Sequence, residues 1–599
     1  MTETASVHVD DRPYERAPLA ADCGPGWAGV VAACRPHGAL VLASLGHTGG
    51  QGSSAWSQEP LWAPSRVPDV LTRELPVEMD EPELAAVLDG FASAARTAVA
   101  ADVDGVEVDA GARSLLRQFA SGLTNLRSDG YGTDRLRLLR EVLTAVRAEL
   151  GPGRVLSLRL SCDEGASWAG ISPGTAAGHV RELATLVDLL VVVRGSGYAD
   201  DRPDGHTSPG FNAGLTRIVR AAAGGTPVVL QGSVVDPVMA QAALSEGTAD
   251  AVEMTRAQIA DADLVATVRA GRAVRPCTLC NQACRVRDVR NPLVSCVADP
   301  DAGHETAVPD AGTGLSALKV PGAAGIPGAE TSRVLIVGAG PAGLEAARVL
   351  AARGVAVRVT DRADEPGGGL RLAAALPGRG RFADLAGWLV AECRRLGVRF
   401  DLGVEITADE LGTAGAAVLA TGSRPRPPEF PVTGAGCVRT AAEVLAGGEL
   451  PPGPVVVHDP VGGPVGTGVA ELLAAAGRAV AVVTPDLVVG ERLGGDLAPA
   501  NTRLARAGVR RETSSLVRGV DGATVLVADR WTGRTRRMPC AVLIDAGPPL
   551  PGDALYRAVD GTVPRAGDAV APRTVLEAVL EGRRAALALL GGHRAAPEN

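Results

Sequence analysis

The chain has 599 residues, 46% of them hydrophobic and 3% aromatic, with 75 glycines. One hydrophobic core stops growing at about 250–300 residues, so this length predicts several domains with α/β packing built from Ala, Val and Leu. A formal charge of −9 with no Lys/Arg-rich run excludes the electrostatic footprint of nucleic-acid binding. The sequence holds no stretch of about 18 uncharged apolar residues, and its N-terminal MTETASVHVDDRPYERA lacks the basic-then-apolar order of a secretory signal, so the expectation is a cytoplasmic protein with no membrane partner.

From residue 39 to about 275, short β-branched runs alternate with Ala/Arg/Glu/Leu segments of helical period. The runs are ALVLASLGH (39–47), VDGVEVD (103–109), VLSLRLS (155–161), VDLLVVVRG (187–195), TPVVLQGSV (226–234) and ADAVEMTR (249–256). Repeated strand–helix units predict a parallel sheet covered by helices. Six strands cannot close an eight-stranded barrel, and TETASVH at the N-terminus supplies only the end of another. The expectation is therefore α/β: an N-terminally truncated TIM-type barrel over 1–275, lacking its first strand or strands. Barrel enzymes place their chemistry at strand C-termini, where His47, Asn125, Arg127, Asp129, Arg159 and Arg256 fall. Arg159, alternating with apolar residues, is the expected buried cation facing a flavin.

Residues 276–305 carry Cys277-x2-Cys280-x3-Cys284-x11-Cys296, while the other six of the ten cysteines are scattered. A disulfide framework does not cluster this way in a large chain without a signal peptide, which leaves a metal site. Three thiolates from one tight loop and a fourth from the next turn can surround a four-iron cube. Structural zinc, the alternative, usually takes two C-x2-C knuckles, and only one is present.

A Gly/Ala/Pro-rich linker (306–331) leads to RVLIVGAGPAGLEAARVLAARGVAVRVTD. Here Gly338 permits a tight turn, Gly340 lets backbone approach a pyrophosphate, Gly343 lets helix and strand pack, and Asp361 ends the next strand where an acid binds ribose hydroxyls. This predicts a dinucleotide-binding domain over 332–450 and 540–599. A second unit over 451–539 has Gly463, Gly466 and Gly468 after a strand ending in HDP. It is read either as the site of the pyridine nucleotide or as a nucleotide fold that has lost its ligand. Two nested Rossmann-like domains follow.

LGHTGGQ, PLWAPS, QFASGLTNLRSDGYG, MTRAQIADADL, CTLCNQACRVRDVRNPLVSCVADPDAGHE, GAGPAG, LATGSRP and GDAVAPR together resemble the old yellow enzyme family, in its long branch with 2,4-dienoyl-CoA reductase and trimethylamine dehydrogenase. Within that branch, LGHTGGQGSSAWSQ is similar to the reductases associated with mycofactocin. The resemblance implies a 4Fe-4S cluster on the four cysteines, FAD in the glycine-loop domain, FMN in the barrel, and electrons passing from NAD(P)H through FAD and cluster to FMN and on to an activated alkene. Carried onto matching positions, Asp361, Arg379, Val404 and Asp568 line FAD, and His47, Arg159, Gly232, Thr255 and Arg256 line FMN.

The sequence departs from that pattern at Ser44 and Ser233, and where the family carries substrate-binding His or Glu/Tyr pairs it has Asp109, Ala112 and Ser114. Asp109, His206 and Tyr198 are the candidate proton donors. A start internal to a longer gene accounts for the missing strands, though not for these replacements. The leading expectation is an ene-type reductase of a small unsaturated molecule. The rivals are an FAD and iron–sulfur electron carrier with a non-functional barrel, serving a redox partner, and an amine dehydrogenase.

Overall fold

A computed structural model describes residues 1–196, 203–285, 293–305 and 334–590. Two compact units are present, one of Met1–Pro203 and Thr207–Thr255, the other of Asp204–His206, Arg256–Arg285 and Leu293–Asn599. The linker 306–331 and Tyr198 lie outside the described residues. No described helix is long and apolar enough to cross a membrane.

The first unit is a seven-stranded parallel sheet. Its strands are β1 (Thr4–Ser6), β2 (Leu42–Gly46), β3 (Gly105–Ala110), β4 (Val155–Ser161), β5 (Leu189–Val193), β6 (Val228–Leu230) and β7 (Ala251–Val252), each paired to its sequence neighbour. All six runs form strands, and the seventh comes from TETASVH. Among the described residues β1 and β7 share no ladder, so the barrel stays open at the position of one strand. Its core is the β-branched and Leu face of the strands (Leu45, Val106, Val108, Leu156, Leu158) against α1 (Glu81–Ala100) and α2 (Arg137–Leu150), whose Phe91, Leu139, Val142 and Val146 recur at helical spacing. Asp80 and Glu83 form a capping box that starts α1.

The second unit holds two parallel sheets. One has the order β10-β9-β8-β11, from β8 (Val334–Val337), β9 (Val357–Asp361), β10 (Arg399–Leu402) and β11 (Ala417–Leu419). The other has the order β12-β16-β13-β14-β15, from β12 (Val438–Thr440), β13 (Val455–His458), β14 (Val480–Val483), β15 (Arg510–Glu512) and β16 (Val542–Asp545). Residues 438–440 and 542–545, assigned from sequence to the first nucleotide domain, pair instead within the second sheet, because Val542–Asp545 lies between both neighbours as its central strand.

Helix α3 (Pro341–Ala352) starts directly from the β8 turn, and α4 (Val575–Leu589) crosses it. Gly338 has φ 112°, and a Cβ there would sit 2.1 Å from the Ala420 carbonyl oxygen. The crossing is equally tight: a Cβ on Gly582 would lie 2.1 Å from the Ala342 oxygen. Gly582→Ala therefore forces the two helices apart and is expected to cost about 1–3 kcal/mol. A lowered midpoint in chemical unfolding checks this, and an unchanged midpoint shows that the crossing relaxes freely.

Candidate functional site

The four clustered cysteines come together in the second unit. The thiols are close enough to feel one another: Cys277 senses the charge of Cys280 and Cys284, and Cys296 that of Cys280 and Cys277. Backbone amides point at them: Leu279 N–H donates to Cys277 Sγ at 3.4 Å, and Ala298 and Asp299 amides donate to Cys296. The loop reaches this shape with Leu279 at φ 55° and Asn281 at φ 52°, left-handed values that side chains rarely adopt. Burial pushes the Cys277, Cys284 and Cys296 thiols up to about 11, with the nearby Arg256 drawing Cys277 and Cys284 back down. Among the described residues no three His, Cys, Asp or Glu side chains converge on the position of one metal ion. A tetrahedral zinc with bonds of about 2.3 Å needs that tighter convergence, whereas a cube of iron and sulfide holds its thiolates further apart. Four soft thiol donors with backbone amides aimed at two of them are the kind of ligand set an iron–sulfur cluster takes.

A buried ion network fixes this segment to the glycine-loop fold. Glu345 of α3 accepts from Arg348 Nε (2.7 Å) and Nη2 (2.8 Å) and from Arg583 Nε (2.9 Å) of α4. Arg583 also pairs with Asp299 (3.2 Å) and Asp301, and Arg275 pairs with Asp299 at 2.5 Å. Asp299 lies three residues past Cys296 and Arg275 two before Cys277, so the network brackets the cysteines. Trp388 donates to the Ala273 carbonyl at 3.3 Å and Arg381 to the Cys277 carbonyl at 2.9 Å. Burial pushes the Glu345 carboxyl up, and Arg348 and Arg583 more than reverse it, leaving it at about 2.

The first glycine loop fits a dinucleotide. A Cβ on Gly343 would lie 1.9 Å from the Gly338 oxygen, while Gly340 has nothing within 4 Å of its own and stands as an uncapped N-cap of α3. Backbone at the helix N-terminus is thus open to a phosphate. Asp361 ends β9, taking the Ala339 amide at 2.6 Å on one oxygen and the Ala363 amide at 2.8 Å on the other. Val404 donates its amide to the Asp361 carbonyl at 2.9 Å. Asp568, whose carboxyl burial pushes up, follows Gly567, which packs on Ala342 at the start of α3. A cleft of about 520 Å³ runs from Cys280 past Arg379 to Asp204, His206, Glu471 and Arg503. His206 Nε2 lies 2.9 Å from Glu471, and Arg503 bonds Glu471 at 3.0 Å and Asp204 at 2.5 Å.

In the first unit Arg159 projects from β4, its Nε 2.9 Å from Glu107 of β3 and its Nη2 2.7 Å from Glu253 beyond β7. Asp109 pairs with Arg159 in the β3–β4 register, and Gly111 adjoins both, a Cβ there lying 2.8 Å from the Asp109 carboxylate and 3.7 Å from Arg159 Cδ. His47 is buried against Trp62, with ring centroids 5.9 Å apart, and Nδ1 accepts the Gly49 amide at 3.0 Å. Gly232 leaves β6 at φ 150°, and Thr255 bonds Glu253 at 3.2 Å. Arg256 is grouped with the second unit, donating to Asn281 at 2.8 Å. Asn125 and Arg127 brace loops through backbone carbonyls. Asp109 is grouped with the first unit and His206 with the second.

Residues 1–275 match the NADH:flavin oxidoreductase / NADH oxidase family, and 332–547 match the pyridine nucleotide-disulphide oxidoreductase family. A metal reductase of Desulforamulus reducens is 31% identical over 93% of this chain and 87% of its own length. The chain belongs to the old yellow enzyme family, in its long branch. It is a flavin-dependent, NAD(P)H-linked oxidoreductase. A multifunctional alkene reductase/demethylase of Caballeronia cordobensis is 31% identical over 77% of this chain and 66% of its own. Histamine dehydrogenase from Rhizobium sp. 4-9 shares the fold, with a TM-score of 0.87 over 98% of this chain and 89% of that one at 24% identity.

Glu253, Glu107 and the Glu345 network were not singled out from sequence. Glu253 stood in plain view inside ADAVEMTR, where an acid on an otherwise apolar strand end is the available signal. Because the folded Glu345 carboxyl lies below its ordinary 4.5, its contribution is full above about pH 4.5 and is lost as pH falls toward 2. Glu345→Gln leaves Arg348 and Arg583 undercompensated and is expected to cost about 3–5 kcal/mol at neutral pH. The gap to the native chain in chemical unfolding should narrow as the pH is lowered through this window.

Proposed function

We propose that this old yellow enzyme relative reduces an activated carbon–carbon double bond of a small unsaturated carbonyl, acyl-CoA or redox-cofactor substrate at the expense of a pyridine nucleotide. The observation that carries this reading is the pinned cysteine segment: four clustered thiols, Cys277 and Cys296 taking amide donors, held beside an open dinucleotide loop by buried charge. Cys277, Cys280, Cys284 and Cys296 would hold a four-iron cluster, and Gly338, Gly340, Gly343, Asp361, Arg379, Val404 and Asp568 would hold FAD. A flavin accepts two electrons together and releases them singly, and a cluster carries them one at a time.

In the barrel, Arg159, Gly232 and Thr255 would hold FMN. Glu107 and Glu253 occupy Nε and Nη2 of Arg159 and so fix the guanidinium plane, with Nη1 left to face a ligand. Asp109, in register with Arg159, would hold the proton delivered to the substrate. The alkene reductase/demethylase relative supports a double-bond substrate, and its demethylase half keeps amine oxidation as the runner-up.

The second reading, an FAD and cluster electron carrier, is favoured by one observation. Glu107 and Glu253 both draw on the one Arg159 guanidinium, which leaves less positive charge for a flavin that gains negative charge on reduction, and Glu107 Oε2 is buried without a hydrogen-bond partner.

Anaerobic purification followed by iron, sulfide, FMN and FAD analysis separates the readings. The proposal expects about four iron and four sulfide per chain with both flavins; FAD without FMN favours the carrier, and zinc at the cysteines removes both. Cys296→Ser is expected to lose the iron while retaining FAD. With FMN bound, Asp109→Asn should lower kcat for alkene reduction by about 10²–10⁴-fold without lowering FMN content.

A further inference from the structure

The second glycine loop differs from the first in what occupies its amides. Strand β13 ends at His458, and Asp459, Pro460, Val461, Gly462 and Gly463 lead into α5 (Pro464–Ala475), whose N-cap Gly463 has no side-chain cap. A loop of this kind presents backbone N–H groups to an anion. Here the anion is internal: Asp459 Oδ1 accepts from Gly462 N–H at 2.9 Å and from Val461 N–H at 3.2 Å. Asp459 is fully buried, and its Oδ2 has no hydrogen-bond partner.

The glycines that make the loop resemble a phosphate cradle serve other purposes. A Cβ on Gly466 would lie 2.4 Å from Asp459 Cγ, so the missing side chain makes room for the carboxylate. A Cβ on Gly468 would lie 2.8 Å from Leu376 Cδ2, so that position admits the neighbouring loop. A second acid stands across Gly462, where a Cβ would lie 2.2 Å from Asp486 Oδ2, another oxygen without a hydrogen-bond partner. The N-cap glycines of the two loops are alike, Gly340 meeting nothing within 4 Å and Gly463 only Val461 at 3.6 Å, so the difference lies in the amides ahead of the helix, of which Asp361 takes one in the first loop and Asp459 two in the second.

We propose that Asp459 is a built-in stand-in for pyrophosphate, and that a pyridine nucleotide takes the second loop only when Asp459 releases the Val461 and Gly462 amides. This rests on reading the second fold as the pyridine-nucleotide site. As a carboxylate, Asp459 competes for the amides and, with Asp486, repels the incoming phosphates; as a neutral acid it does neither strongly. The charged groups facing it, among the described residues, are Asp486 beyond β14 and His458 on its own strand, the latter 3.1 Å from Asp545. Glu491 is turned to the Leu487 amide at 3.2 Å, and α5 carries no charge before Glu471. Burial, with Asp486 adding to it, pushes the Asp459 carboxyl up to about 6 against the pull of its two amides.

The test is calorimetric titration of the oxidised holoprotein with NAD⁺, and in parallel NADP⁺, between pH 6 and pH 8. If only the neutral acid admits the nucleotide, the fraction able to bind falls about 50-fold across this range, and Kd rises by the same factor. Asp459→Asn, which imitates the neutral acid, is expected to bind at pH 8 nearly as tightly as the native chain does at pH 6, with a flat profile. Tight, pH-independent binding by the native chain overturns the proposal, as does the absence of binding at every pH in both proteins. The native profile alone decides the matter if the variant does not fold. Iron and FAD contents, which test the cluster reading, do not depend on this result.

Discussion

The arrangement of the second unit depends on one buried carboxylate. Glu345 lies on the first turns of the helix that opens toward a dinucleotide, and it binds two arginines, one of which reaches the acids that follow the last clustered cysteine. Each charge is taken out of water, and each is tolerable only because the others are present: an isolated buried ion costs several kcal/mol, and a pair recovers this only with good hydrogen-bond geometry. The consequence is positional. A loop held by weak apolar contacts would let its thiols drift, whereas one bracketed by Arg275 and Asp299 has its ends fixed relative to α3 and α4.

The same physics recurs with a different outcome wherever the chain supplies its own counter-ion at a place that resembles a ligand site. Asp459 fills the amides of the second glycine loop, and Glu107 and Glu253 take donors of Arg159 in the barrel. An internal group of the right charge is always at hand and loses no translational entropy, so a ligand competes against it at a disadvantage. The first glycine loop is occupied less: its acid, Asp361, arrives from the adjacent strand end and takes one loop amide, Ala339, with its other oxygen on Ala363, whereas Asp459 takes two amides of its own loop. Two loops that look alike in glycine spacing are thereby separated by where a carboxylate enters.

This is also where the sequence was readable and where it was not. The barrel strands, the open barrel edge and the strands β8, β9 and β13 that flank the glycine loops follow from runs whose period and turn residues are local, as in VLSLRLS and RVLIVGAGPAG. The cysteine spacing is local as well. The Glu345 network is not: Arg583 lies 238 residues from Glu345 and 284 from Asp299, and nothing in a helical stretch such as LEGRRAALALL marks one arginine as buried and its neighbour as solvated. Likewise the pairing of 438–440 with 542–545 is decided by a ladder formed across an inserted sheet, which shifts the domain border away from the composition change.

His206 illustrates the limit most sharply. In sequence it follows the fifth barrel strand and so reads as a barrel-mouth acid, but the short segment Asp204–His206 groups with the second unit, where its ring meets Glu471 and its neighbour Asp204 meets Arg503. A three-residue excursion is invisible to periodicity, since it has neither strand nor helix to signal it. What fixes its place is charge complementarity with α5 and the helix after it: Glu471 accepts from both His206 and Arg503, and removing either donor leaves a half-buried carboxylate with one partner fewer. The chemistry available to each body is thus set less by which residue types follow which strand than by which charges the packed helices leave to be matched.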